Sequence, residues 1–276
     1  MQSQLLELLQ IPEKEDLVFQ RPPLILTICQ IRFPPVLSVA DGAFVAPFQR
    51  HIYKDYPITV QGTDIQVQLG FDTGKAEFQP GRQSAVWQFS DRNDNWKVVL
   101  AQDFLGIETR RYSHFEDFLK RLRRVLTALI KYIEPSIVTR IGLRYVNEVR
   151  VDNVAWASVI RQELLGPISE PQLKDHISHM VSELLLAFPH DEQIRVRHGL
   201  FPRGTTVQPI KGESVSEQPF YLLDFDAFRE FPLSAGLLMQ TDPICHLIEV
   251  YNKAVYRLFR WSVTETYTET LGGEVK

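Results

Sequence analysis

The sequence predicts an α+β protein, with an antiparallel sheet in each half and a long helix from each packed on one face. Three observations carry this. Short strand-like runs follow one another across turn clusters instead of alternating with helices, which argues against a parallel, doubly wound sheet. Two long stretches, one mid-chain and one near the C-terminus, hold helical period with hardly an error. The 276 residues, 44% hydrophobic and 23% charged, exceed one small domain and bring enough apolar material for a sizeable core. On this reading the chain divides into a β-α-β-β-β-α-β half, 1–150, and an α+β half, 151–276, that ends in the second long helix. Both halves place strands before a long helix, a parallel that suggests structural duplication.

Residues 24–33, LILTICQIRF, read as a buried strand bounded by Pro22-Pro23 and Pro34-Pro35. From Ala43 to Tyr56, apolar residues recur at spacings of three and four (Phe44, Val45, Phe48, Ile52), which marks an amphipathic helix closed by Pro57. Strands are expected at Thr63–Phe71, Ala85–Asp91 and Trp96–Gln102, the last two joined by the polar turn Asp91–Asn95. The clearest helix runs from His114 to Ile133, with Ser113 and Glu116 spaced as a capping box and Pro135 as its stop. Apolar and polar residues then alternate from Ile141 to Val149, the pattern of a strand with one face on the core and one in solvent.

In the second half a helical stretch near Trp156–Leu165 precedes strands near His179–Phe188, Gln193–Phe201 and Phe220–Asp226. Residues Pro202–Pro219 form a polar, turn-rich excursion. The last helix is expected to start at Asp242 as N-cap with Pro243 at N1, and to run through Ile244, Leu247, Tyr251, Val255 and Phe259.

The net charge is −4, but residues 1–150 sum to +2 and residues 151–276 to −6. Segment 110–150 alone holds ten basic residues against four acidic ones. On the long helix Lys120, Arg121, Arg123, Arg124 and Lys131 fall away from the apolar stripe, with Arg121/Arg124 and Lys120/Arg123 forming two neighbouring rows. Such a face can grip phosphates or an acidic protein surface, or can simply be solvated. These five residues are the expected contact surface.

Motifs for chemistry are sparse. His176, His179, His190, Asp191, Glu192 and His198 make the nearest approach to a ligand cluster, but His-x-x-His converges on a helix and not on a strand. Asp224 and Asp226 share a strand face, where paired carboxylates can hold Mg²⁺, yet no Glu-x-Lys follows, and two acids on a solvent-facing strand end account for them. Asp103 and Glu108 likewise lack a completing ligand, and Gly70, Gly74 and Gly81 form no phosphate loop. Neither Cys29 nor Cys245 sits in a nucleophile signature. No metal, cofactor or catalytic residue is expected. Two cysteines are too few for a disulfide scaffold, and neither a signal peptide nor a membrane span is legible, so a cytoplasmic protein is expected.

Three stretches, LTICQIRFPPV (Leu26–Val36), Trp96–Leu126 and RIGLRYVNEV (Arg140–Val149), with Trp261–Thr264 near the end, resemble a sporadically distributed family of uncharacterised bacterial and archaeal proteins. The resemblance spans most of the chain and implies no activity or site residue. Its patchy distribution implies an accessory gene of the kind found in mobile or defence-associated loci. Three functions are carried forward: a non-enzymatic interaction or assembly subunit whose partner is another protein or a second copy, a nucleic-acid-binding subunit using the basic helix face, and a helix-grip cavity for an apolar ligand.

Overall fold

The apolar and β-branched runs build the nine strands of the main sheet in the computed structural model, which describes residues 3–62, 85–151, 155–205 and 216–275. They are β1 (Leu24–Arg32), β2 (Ile58–Gly62), β3 (Val86–Ser90), β4 (Trp96–Leu100), β5 (Phe104–Thr109), β6 (Arg140–Val149), β7 (Met180–Ala187), β8 (Glu192–Phe201) and β9 (Phe220–Glu230). All pair antiparallel in one sheet of order β2-β3-β4-β5-β1-β6-β9-β8-β7. The three long helices are α1 (Gly42–Ile52), α2 (Phe115–Tyr132) and α3 (Thr241–Ser262).

The order of elements from β1 to α2 is similar to that from β6 to α3, although β6 itself lies within residues 1–150. A first strand, β1 or β6, leads into an excursion; a meander then returns to pair with that strand, and a long helix follows. Because β6 pairs with β1 on one side and β9 on the other, the strands of both halves join at the centre of one continuous sheet.

One sheet face carries the main core. Cys29 and Ile31 of β1, Ile141 and Leu143 of β6 and Phe225 and Ala227 of β9 pack in one cluster with Phe118, Leu122, Val125 and Leu129 of α2 and Ile248, Tyr251 and Val255 of α3. Strand period 2 sets this against helix period 3.6, so the two sequence patterns meet on one surface. The α1 helix, capped by Asp41 through the Ala43 N–H, adds Val45, Phe48 and Ile52 to the same cluster.

The opposite face is half apolar and half ionic. Leu26, Ile28, Val146, Phe220 and Leu222 form a second buried cluster, and beside them Arg144 donates two hydrogen bonds to Asp224, at 2.7 and 2.6 Å. Arg140 reaches Asp226 at 3.3 Å by lying along the sheet over Gly142, where an added Cβ would stand 2.6 Å from its Nη1. Absence of a side chain at Gly142 opens this path.

Several expectations change. Every residue of β6 is buried, so the half-solvated strand is corrected: outward Arg140 and Arg144 pair with acids on β9, and Glu148 pairs with Arg150. Asp224 and Asp226 are buried as well, not at a solvent-facing strand end. The α2 helix starts at Phe115 with His114 as N-cap, one residue beyond the start that a Ser113 capping box requires. The N-cap of α3 is Gln240, two residues before Asp242. Near Trp156–Leu165 the chain forms a 3₁₀ turn (Trp156–Ser158) and a short helix (Gln162–Leu165) in place of one helical stretch. Strand β5 adds an element that the pattern did not reveal, between β4 and α2. The expected strand Thr63–Phe71, the glycines Gly70, Gly74 and Gly81, and residues 206–215 of the polar excursion lie outside the described residues.

Candidate functional site

The basic residues of α2 do not form a free face. Arg121 donates from Nε to Asp117 at 3.1 Å, and its guanidinium lies 4.4 Å from the Trp96 ring centroid. Arg123 is 2.6 Å from Asp242 in the first turn of α3, and Arg124 is 2.6 Å from Asp55 beyond the end of α1. Arg124 also donates to the His51 carbonyl. Lys120 and Lys131 are exposed, with the Lys131 ammonium 5.2 Å from the Tyr132 ring centroid. The arginines thus tie α2 to α1, β4 and α3. A phosphate would have to displace these internal acceptors, so the nucleic-acid reading draws no support from the geometry.

The histidine and acid clusters do not converge. Among the described residues no group of three or more His, Cys, Asp or Glu side chains is placed to hold a metal ion. His198 instead lies buried against Tyr221, with Nδ1 2.8 Å from the phenol oxygen. That phenol spends its only proton on the Leu164 carbonyl, so it accepts from His198, which must carry its proton on Nδ1. Glu108 stands opposite Lys97 on the neighbouring strand, and burial raises its pKa above the usual carboxylate range. Cys29 and Cys245 are both buried free thiols.

A cavity of about 300 Å³ opens at the N-terminal end of α2. Its floor is Tyr145 and Asn147 of β6, one wall is the α3 stretch from Glu249 to Phe259, and its far end is Tyr112–Glu116. The roof is the N-terminal segment from Glu13 to Leu24. This segment is anchored along its length. The Leu17 N–H donates to the Tyr256 hydroxyl at 2.9 Å, which in turn donates to the Glu15 carbonyl at 2.8 Å. Arg257 pairs with Glu13 at 3.0 Å, Lys14 pairs with Glu265, and Leu17–Phe19 forms a two-stranded ribbon with Gly273–Val275.

Apolar side chains in the roof and α3 wall, among them Leu17, Phe19, Leu24 and Phe259, alternate with charged residues, Lys14 and Asp16 in the roof and Glu249, Lys253 and Arg257 on α3. At the floor the polar groups are uncharged phenols and amides. Tyr145 donates to Asn252 Oδ1 at 2.8 Å, and its oxygen is 3.4 Å from the Tyr112 hydroxyl. Since Tyr145 has spent its proton, Tyr112 is the donor between them. Burial pushes both phenols well above their ordinary pKa, so they stay protonated at neutral pH. Asn147 donates to the Leu223 carbonyl at 3.0 Å. Among the described residues, no hydrogen bond reaches Asn252 Nδ2 or Asn147 Oδ1.

The site draws on four separate stretches of chain, none of which carries a motif. One signal was present in the sequence: along the inward positions Ile141, Leu143, Tyr145, Asn147 and Val149, a single amide interrupts an otherwise apolar or aromatic run. No family model, curated protein or solved structure matches the chain.

Proposed function

We propose that the protein is a ligand-binding module that acts by binding rather than turnover, and that the cavity between the N-terminal segment, α2 and α3 takes a small amphipathic molecule. The observation that carries this reading is the cavity itself: about 300 Å³, with apolar and aromatic side chains in its walls, phenols and amides at its floor, and charged residues such as Lys14, Glu249 and Lys253 also in its lining. Concavity, apolar walls and a small convergent polar set are the ordinary attributes of a small-molecule site. Of the three functions expected from sequence, it develops the helix-grip cavity, with a polar floor added. The test is titration of the full chain with the fluorescent apolar probe 1-anilinonaphthalene-8-sulfonate. Saturable binding of one probe per chain is expected, and Leu17→Trp, which fills the cavity from the roof, should abolish it while circular dichroism stays unchanged. Equal binding by the filled variant would place the probe elsewhere and sink the reading.

A second reading, an assembly subunit of a prokaryotic accessory or defence-associated system, is favoured by one observation. The terminal strand β7 exposes Val181, Leu184 and Leu185 at 41, 38 and 51%. Edge strands with unpaired backbone and apolar side chains invite pairing with another chain or a second copy. A cytoplasmic setting agrees with the two buried free thiols. No helix among the described residues is long and apolar enough to cross a membrane.

A further inference from the structure

Resting on the pocket reading above, we propose that the ligand is a nucleobase or nucleoside, a planar heteroaromatic with a hydrogen-bond donor beside an acceptor. The floor leaves two hydrogen-bonding functions unspent. Tyr145 is satisfied through Asn252 and Tyr112, but the amides flanking it keep opposite functions: Asn252 offers two N–H groups and Asn147 a carbonyl oxygen. A ligand that meets only one of them leaves the other desolvated without a partner, which costs affinity. A hydrocarbon chain meets neither. A carboxylate accepts from Asn252 but has nothing to donate to Asn147. The edge of a nucleobase carries an acceptor beside a donor in one plane, so it can accept from the Asn252 N–H groups and donate to the Asn147 oxygen.

The walls agree with the floor. Phe19 and Phe259 meet edge to face with centroids 6.0 Å apart, and Tyr112 and Tyr145 do so at 5.6 Å, so aromatic rings border the cavity from two sides. Aromatic surfaces favour flat π-systems, and stacking on aromatic side chains is the usual partner of edge hydrogen bonding in base recognition. At about 300 Å³ the cavity lies at the small end of ligand sites, suited to one nucleoside and too small for a dinucleotide.

Calorimetric titration of the full chain with adenosine, guanosine, cytidine and uridine tests the proposal, with displacement of the anilinonaphthalene probe as a second readout. One nucleoside should bind with unit stoichiometry and displace the probe. Asn252→Asp, which turns N–H donors into acceptors, should weaken that nucleoside by about tenfold or more while probe binding persists. Asn252→Ser, which removes both N–H donors without adding charge, should weaken it too, and serves if the aspartate variant fails to fold. Probe binding with no response to any nucleoside overturns the ligand class and leaves the pocket reading standing. Absence of both overturns the two together. Nucleoside binding that neither Asn252 variant changes places the nucleoside at another site and overturns the assignment.

Discussion

Arg144 and Asp224 are 3 and 2% exposed and pair with each other in the middle of a sheet. Two parallel hydrogen bonds hold them, and loss of one partner would strand the other in a low-dielectric setting. Asp224→Ala should therefore cost about 3–5 kcal/mol of stability, read from the urea midpoint. Asp226 behaves differently. Burial outweighs the attraction of Arg140 and Arg144 and raises its pKa from 3.8 to about 6. Between these values the folded state holds a proton that the unfolded chain has released, so stability should fall as pH rises through that window. Asp226→Asn should flatten this decline in denaturation midpoints measured across it. None of this was legible in the sequence, where RIGLRYVNEV and LLDFDAF look like strands with a wet face. Arg144 pairs in register with Asp226 and lies diagonal to Asp224, and register between strands so distant in sequence is not a local property.

Elements were legible where one period dominates. Both long helices fell within a few residues of their expected limits because apolar stripes outvote any single cap. Strand β5 escaped because its residues, Phe104 to Thr109, mix apolar and polar side chains on one face, with Gly106 in the middle. The basic face of α2 was legible as composition but not as pairing, since Asp55, Trp96 and Asp242 reach it from other elements. Edge strand β7 exposes apolar residues on both of its faces, and its single charge, Glu183, is turned toward Arg195 and Arg197 of β8 at 3.7 and 3.6 Å. It thus lacks the lysine or proline that usually blunts an edge. If β7 is the assembly surface, Leu185→Lys should lower the mass seen by light scattering at high concentration without moving the thermal midpoint. An unchanged mass distribution would remove β7 from consideration.

At the scale of the molecule, the seam between the halves is a hydrogen-bonded strand pair and not a linker. Residues 1–150 expressed alone would present all of β6 as a new edge, with Arg144 deprived of Asp224 and Leu143 of the α3 helix. That fragment should fail to give a cooperative unfolding transition, whereas the full chain should unfold in one step. The pocket depends on the same closure, since its floor is on β6 and its wall on α3.

The pairing of β1 with β6, and of β6 with β9, also sets an order in time. Ile28 must wait for Arg144, and Arg144 for Asp226, before the centre of the sheet can close. Contacts so far apart in sequence are slow to form because the entropy of closing a long loop is lost before any pairing repays it. During synthesis the apolar face of β1 therefore emerges well ahead of its permanent cover, and the chain spends that interval as a client for whatever holds nascent polypeptides out of aggregates.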